Sequence, residues 1–364
     1  MLKYTIVYEQ GDTIMMKRLF MTVCVCAMTA AMFCGCSKEE PVEEKEEVVL
    51  VIDEPEEEPE PVVITNPITG EVSETEIKGR PLIVSYDNVG SAIPQSWTSM
   101  ADIVYEFPVE GNQTRLNAVF YSEFPEFLGP NRSTRPYIVD LTREYKGMFL
   151  AHGWSPQAKK YLTSNVVPYI IAMNSDAKFY RVSDKSAPHN SYIKWSEVKN
   201  QIEKNGWWEE KQDIRPFTFL AEGEKNEGAA VNFVEFDSAA HCEFTYDAEK
   251  NHYVRTINNG SKYVDKETGE PITVSNVLVQ KVSSRSIDEK GRLEINMCAG
   301  GNALLFTNGV VVEGTWSREN LDSRTIFKDA NGNEFKMSVG NTWVMVADQN
   351  TKISYEVPEE AAAE

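Results

Sequence analysis

The apolar positions of this chain fall into three regimes. Residues 19–31 are a nearly continuous apolar run, led by Lys17-Arg18 and closed by Phe33-Cys34-Gly35-Cys36-Ser37. Acids and prolines dominate the next stretch, and from about residue 64 apolar residues return in short runs of two periods. In the first half, residues 81–86, 102–109, 116–122 and 148–151 have strand length and strand-like apolar content. Residues 135–145, 155–162 and 195–208 carry helical spacing, and Ser155-Pro156 combines a cap with proline in the first turn. Gly206 closes the third of these helices.

Past Pro216 the runs are β-like throughout: 217–220, 231–236, 242–246, 253–257, 274–281, 293–297, 303–307, 310–315, 325–327, 334–337 and 342–347. Turn signals such as Thr268-Gly269, Lys290-Gly291, Asn308-Gly309 and Asn331-Gly332 separate them, and Asn-Gly between alternating runs marks a hairpin. The expected fold is α+β overall. An N-terminal α/β layered domain with a polar cluster (64–212) precedes a mostly antiparallel β C-terminal domain (213–350), and 351–364 reads as a disordered acidic tail.

The amino end has a different meaning. A spanning helix needs about 20 apolar residues, and the run after Arg18 barely reaches that, with small and polar breaks. A basic start, a short apolar centre and small residues at the cut site make residues 15–35 an export signal. Cys36 directly after Gly35 makes it a lipoprotein signal: cleavage before Cys36 leaves an acylated (palmitate-type) first residue. Residues 1–14 carry Glu9 and Asp12 ahead of the signal, so the start is expected at Met15 or Met16.

The net charge of −20 is concentrated. Residues 37–61 hold twelve carboxylates against Lys38 and Lys45, half of the total excess. With four prolines interleaved, this segment has no means of forming a core, and its charges repel. Residues 36–63 are therefore expected to be a lipidated, disordered stalk. The remaining body is mildly acidic, which argues against a nucleic-acid surface. Outside the signal and Cys36, only Cys242 and Cys298 remain; a disulfide and two separate thiols both fit the sequence, and no zinc pattern is present.

Polar residues cluster in the first domain: Tyr86-Asp87-Asn88; Glu106 with Glu110 to Arg115; Gly129 to Tyr137 followed by Asp140; Ala151 to Ser155; and Ala187-Pro188-His189-Asn190. Loops beyond strand ends are where ligands bind in α/β sheets. Arg132 and Arg135, flanking Ser133, suit an anion, or they pair internally with Glu106, Glu110 or Asp140. His152 and His189, in loop-like sequence, are candidate acid–base groups or plain loop-to-loop hydrogen-bonders. A metal on His152, His189 and Asp87 lacks ligand spacing, and Ser133 and Ser155 lack a nucleophile elbow. The tryptophans read as core anchors, with Trp154 beside His152 as a sugar-stacking alternative.

At these residues the chain resembles the YerB-like lipoprotein family. The resemblance rests on Asn66-Pro67-Ile68-Thr69-Gly70, Ala101-Asp102-Ile103-Val104-Tyr105-Glu106, the 129–137 block, His152-Gly153 with Ser155-Pro156-Gln157, and Ala187-Pro188-His189-Asn190. Gly314-Thr315-Trp316 and Gly340-Asn341-Thr342-Trp343 extend it to about residue 348. Asn131 and Thr134 depart from the family's small apolar residues without changing charge. The resemblance implies an exported bacterial lipoprotein of two domains, both of unassigned function.

Three expectations follow. The first is a lipid-anchored extracytoplasmic protein whose first domain binds an anionic or glycan-type envelope ligand through Arg115, Arg132, Arg135, Ser133 and Asn190. The second is a hydrolase or transferase on a phosphate- or ester-containing envelope polymer, using His152, His189, Asp87 and Glu106. The third is a non-catalytic scaffold for another envelope protein. Expected partners are the membrane, through Cys36, and an envelope polymer or protein, with no nucleic acid, cofactor or metal.

Overall fold

Strand β1 (Leu82–Asp87) is buried at all six positions, as a strand covered on both faces requires. In this computed structural model residues 64–356 are described, apart from 74–76, 78, 209–211, 238–240 and 259. The expected start, signal, Cys36 and stalk, and residues 357–364, lie outside the described residues. Beside β1 stand β2 (Ile103–Val109), β3 (Gln113–Phe120), β4 (Met148–Ala151) and β5 (Tyr169–Ile171). From the second half come β6 (Ala229–Ala230), β7 (Asn276–Val282), β8 (Gly301–Thr307), β9 (Val310–Ser317), β10 (Ile326–Asp329) and β11 (Thr342–Asp348).

These make one 11-stranded sheet in the order β5-β4-β1-β3-β2-β11-β7-β8-β9-β6, with β10 also paired to β9. The seam between the halves is parallel on both sides of β11. Thr342 to Met345 align with Ile103 to Glu106 of β2, while Thr342 to Asp348 run alongside Asn276 to Val282 of β7. At the hairpin from β8 to β9, Asn308 and Gly309 both have positive φ (51° and 73°), the geometry a two-residue type I′ turn needs.

Three helices lie among the described residues: α1 (Pro136–Glu144), α2 (Pro156–Leu162) and α3 (Trp195–Lys204). Side chains alternate across β1. Ile83 joins Ile138, Leu141 and Leu162 of α1 and α2 in one core, while Leu82 and Val84 join Val198 and Ile202 of α3 in another. Ser155 caps α2, its Oγ accepting from Ala158 N at 3.1 Å. The α3 helix is shorter than its spacing suggests. It stops at Lys204 because Gly206 takes φ +67°, letting Trp207 N reach back to Ile202 O at 3.0 Å.

The molecule is mainly β, and the first half is not a repeated strand–helix winding: β1, β3 and β2 are antiparallel neighbours. A second sheet joins strands Phe233–Phe236, Cys242–Asp247 and His252–Ile257 with the short Ser261–Lys262 and Thr273–Val274. Its edge is Ile353–Glu356, paired with Phe233–Phe236, so the expected tail begins with a strand. Cys242 is buried, Cys298 partly exposed, and both are free thiols. Among the described residues no helix is long and apolar enough to cross a membrane.

Candidate functional site

Register does the first part of the assembly. Asp87, the last residue of β1, lies directly across from Arg115 on β3, so a carboxylate and a guanidinium share one face of the sheet. Segment 129–134 then runs past the end of β1: Asp87 N donates to Pro130 O (2.9 Å) and Arg132 N to Ser85 O (2.8 Å). Ser133–Thr134 pair in parallel with Gly153–Trp154, and His152 N donates to Arg132 O at 3.0 Å. Gly129 is needed where it stands, since a Cβ there would meet the Tyr192 ring at 2.6 Å.

Asp87 is the hub. Its Oδ2 lies 2.7 Å from His189 Nδ1 and 3.2 Å from Arg132 Nε, with the carboxylate side chain only 2% exposed. The Arg132 contact is a charge pair rather than a directed hydrogen bond. Because an ionised carboxylate only accepts, Nδ1 of His189 carries a proton, and in the neutral imidazole Nε2 is then the acceptor. His189 is 21% and Arg132 27% exposed. Among the described residues, His189 Nε2 and the two terminal nitrogens of Arg132 have no hydrogen-bond partner.

The loop carrying His189 is tied down by Asn190. Asn190 Nδ2 donates to Val182 O and Lys185 O (2.9 and 3.0 Å), and its Oδ1 accepts from Arg181 at 2.7 Å. His152 sits nearby, with Nδ1 at 2.7 Å from Ser191 Oγ and its ring edge-on to Phe179. Burial, and the charges of Arg181 and Arg132, hold its pKa below the ordinary histidine value.

Arg115 is almost fully buried (5% exposed). It donates to Ser133 O, and its pKa falls to about 10, chiefly through burial and then through the like charge of Arg135. Arg135 itself is consumed: Nε (2.9 Å) and Nη2 form a fork on Glu110, and Nη1 donates to Thr134 O at 2.7 Å. Burial raises the Glu110 pKa, but the Arg135 fork outweighs it, so the carboxyl sits below its usual range. The side chains of Asp87 and Glu110 thus stand against three guanidiniums, and the cluster keeps positive charge.

All five polar segments therefore supply residues to one neighbourhood, but Glu106, Asn190 and Ser133 have other duties than expected, and Arg135 takes the internal pairing rather than a ligand. Glu106 is fully buried and bonds neither histidine, accepting from Thr114 (2.8 Å), Asn88 (3.2 Å), Arg255 (3.0 Å) and Trp343 Nε1 (3.2 Å). Four donors on one carboxylate make it an interior anchor, not a base facing a ligand. Asn190 is a loop tie, Arg135 an internal partner, and Ser133 contributes its carbonyl to Arg115. Sequence reasoning missed Ser191 and Arg181, which lack any motif of their own and reach the site through strand pairing of Ser191–Lys194 with Phe179–Arg181.

The described body is mainly β, with a histidine–carboxylate pair beside the Arg132 guanidinium at the rim of its main sheet. Family models described as "Protein of unknown function (DUF3048)" match here, the N-terminal domain over residues 68–208 and the C-terminal domain over 232–344. The chain belongs to this family. A relative in Bacillus subtilis (strain 168), named "Putative lipoprotein YerB", is 34% identical over 287 residues, 77% of this chain and 85% of that protein. The crystal structure of the YerB protein from Bacillus subtilis superposes with a TM-score of 0.71 at 33% identity, covering 80% of this chain and 99% of the other.

Proposed function

We propose that this protein is a lipid-anchored lipoprotein of the extracytoplasmic face whose body binds an anionic envelope ligand at Arg115 and Arg132, beside His152 and His189. One observation carries the reading. Arg115 is a buried cation with a single backbone acceptor, set among two further guanidiniums and the carboxylates of Glu110 and Asp87, each already engaged by a neighbouring arginine. A cation so placed gains most from an anion, and Arg132 offers unpaired nitrogens at the same rim. Anchoring rests on Gly35-Cys36 after the apolar run and on the name of the Bacillus relative.

The test is calorimetric titration of the full-length protein with inorganic phosphate, a glycerol-phosphate oligomer and a neutral chitooligosaccharide. Binding of the charged ligands alone, weakened about tenfold or more by Arg132→Ala through loss of a charge-assisted hydrogen bond, is the expected result. Equal binding of the neutral glycan, or charged-ligand affinity unchanged in the variant, would refute it. Palmitate labelling that persists in Cys36→Ala would refute the anchoring.

A second reading is favoured by the 2.7 Å His189–Asp87 contact: an oriented imidazole with Nε2 free is the arrangement of a general base. In that case His189→Ala abolishes slow hydrolysis of a bound phosphate ester while leaving its affinity intact. Release of no product by the unaltered protein would exclude it.

A further inference from the structure

The second sheet carries a group of side chains unrelated to the arginine cluster. Glu235 and Glu243 lie directly opposite one another on adjacent antiparallel strands, so their carboxylates share one face. Like charges in that register destabilise a sheet. Glu243 is 7% exposed, and its one hydrogen bond among the described residues is from Thr256 Oγ1 to Oε2 at 2.7 Å. It has no cationic side-chain partner among those residues. Lys262 aligns with Thr256, which in turn faces Glu243, so it stands two strand spacings of roughly 5 Å each from Glu243. A nine-tenths-buried carboxylate with one oxygen unclaimed, facing a second carboxylate, asks for a cation.

His241 supplies the third group. Its Nε2 is 2.7 Å from Glu235 Oε1, and one ligand-capable atom from each of Glu235, His241 and Glu243 lies within 4.8 Å of the others. Bonds of about 2.1 Å to one ion allow ligand atoms to stand at most ~4.2 Å apart, a closure that small carboxylate rotations supply. We propose that Glu235, His241 and Glu243 form a binding site for a single divalent metal ion of the zinc class, with water completing its coordination. One imidazole and two carboxylates suit zinc. Calcium would want six to eight oxygens. Thr256 acts behind the ligands, fixing the orientation of the Glu243 carboxylate.

The test uses the full-length protein, its accessible thiols alkylated and metals removed by chelation, titrated with ZnCl2 and separately with CaCl2. One saturable zinc site and a zinc-dependent rise in Tm are expected, with no calcium response. His241→Ala and Glu243→Gln should each weaken zinc binding at least ~10-fold, and Thr256→Val by about tenfold. Glu243→Gln should also leave the metal-free protein at least as stable as the parent, because it removes the carboxylate repulsion. That separates a ligand from a merely structural side chain. His252→Ala, beside Asp247 on the neighbouring strand, should change nothing. Absence of saturable zinc binding, or binding that survives His241→Ala, would overturn the proposal.

Discussion

Replacing Arg255 by methionine gives the sharpest test of how the two sheets are held together. The Arg255 guanidinium is completely buried, 3.0 Å from Glu106 Oε2, and lies over the rings of Tyr263 (3.9 Å) and Trp343 (4.5 Å). Methionine fills much of the volume but removes the charge. Glu106 would then keep three donors, from Asn88, Thr114 and Trp343, in place of four. Leaving one member of a buried ion pair alone costs about 3–5 kcal/mol, and the surviving donors place this case near 3. At roughly 2–4 °C per kcal/mol for domains of some 150–250 residues, Tm should fall by about 6–12 °C. Differential scanning calorimetry measures this directly. Glu106→Gln in the same background should restore part of the loss, the double variant costing roughly 2 kcal/mol less than the two single changes combined. A single-variant loss below about 1 kcal/mol, or strictly additive singles, would refute the view of Glu106 as a charged interior anchor.

Other outcomes follow from the rim of the main sheet and from the two thiols. His152 should titrate below 6.5 by NMR; its native form disfavours the proton, so its contribution to stability is present above pH 6.5 and shrinks as pH falls through the lowered native pKa. Arg132→Ala, or saturating phosphate, should move that titration upward, and an unmoved midpoint would count against the anion site. Glu110→Gln should flatten the acid limb of the stability profile, since a carboxyl held below its 4.5 reference contributes above that pH and loses the contribution as pH drops; an unchanged limb would mean that its fork on Arg135 is not retained in solution. Cys298 should alkylate before Cys242, whose buried thiol is pushed up to about 12, as peptide mapping would show.

What the sequence disclosed depended on how local the cause was. The strand at 148–151 is an unbroken apolar run and that at 82–87 is apolar but for Ser85 and the terminal Asp87, because both faces are covered, and α2 announces itself through Ser155 and Pro156. Strands of two to four residues, such as Tyr169–Ile171 and Ser191–Lys194, are too short to show a period, and Ile353–Glu356 hides among acids. The site followed the same rule. Its segments were recognisable as polar clusters after strand-like runs, but which residues face the rim depends on pairings across the chain: Asp87 meets His189 at a separation of 102 residues. Glu106 looked like a candidate base because its partners Arg255 and Trp343 lie 149 and 237 positions away.

The seam strand β11 also sets a timetable. Until residues 342–348 are available, β2 has no neighbour on that side and β7 lacks its parallel partner, so each half waits with an open edge. Pairing elements some 240 residues apart is the slow, entropically costly kind of closure. A chain emerging N-terminus first would therefore hold its first half in an unfinished state until the second arrives. The gap between the two family matches is thus a poor place to cut this protein, and a fragment ending there should aggregate through the naked flank of β2.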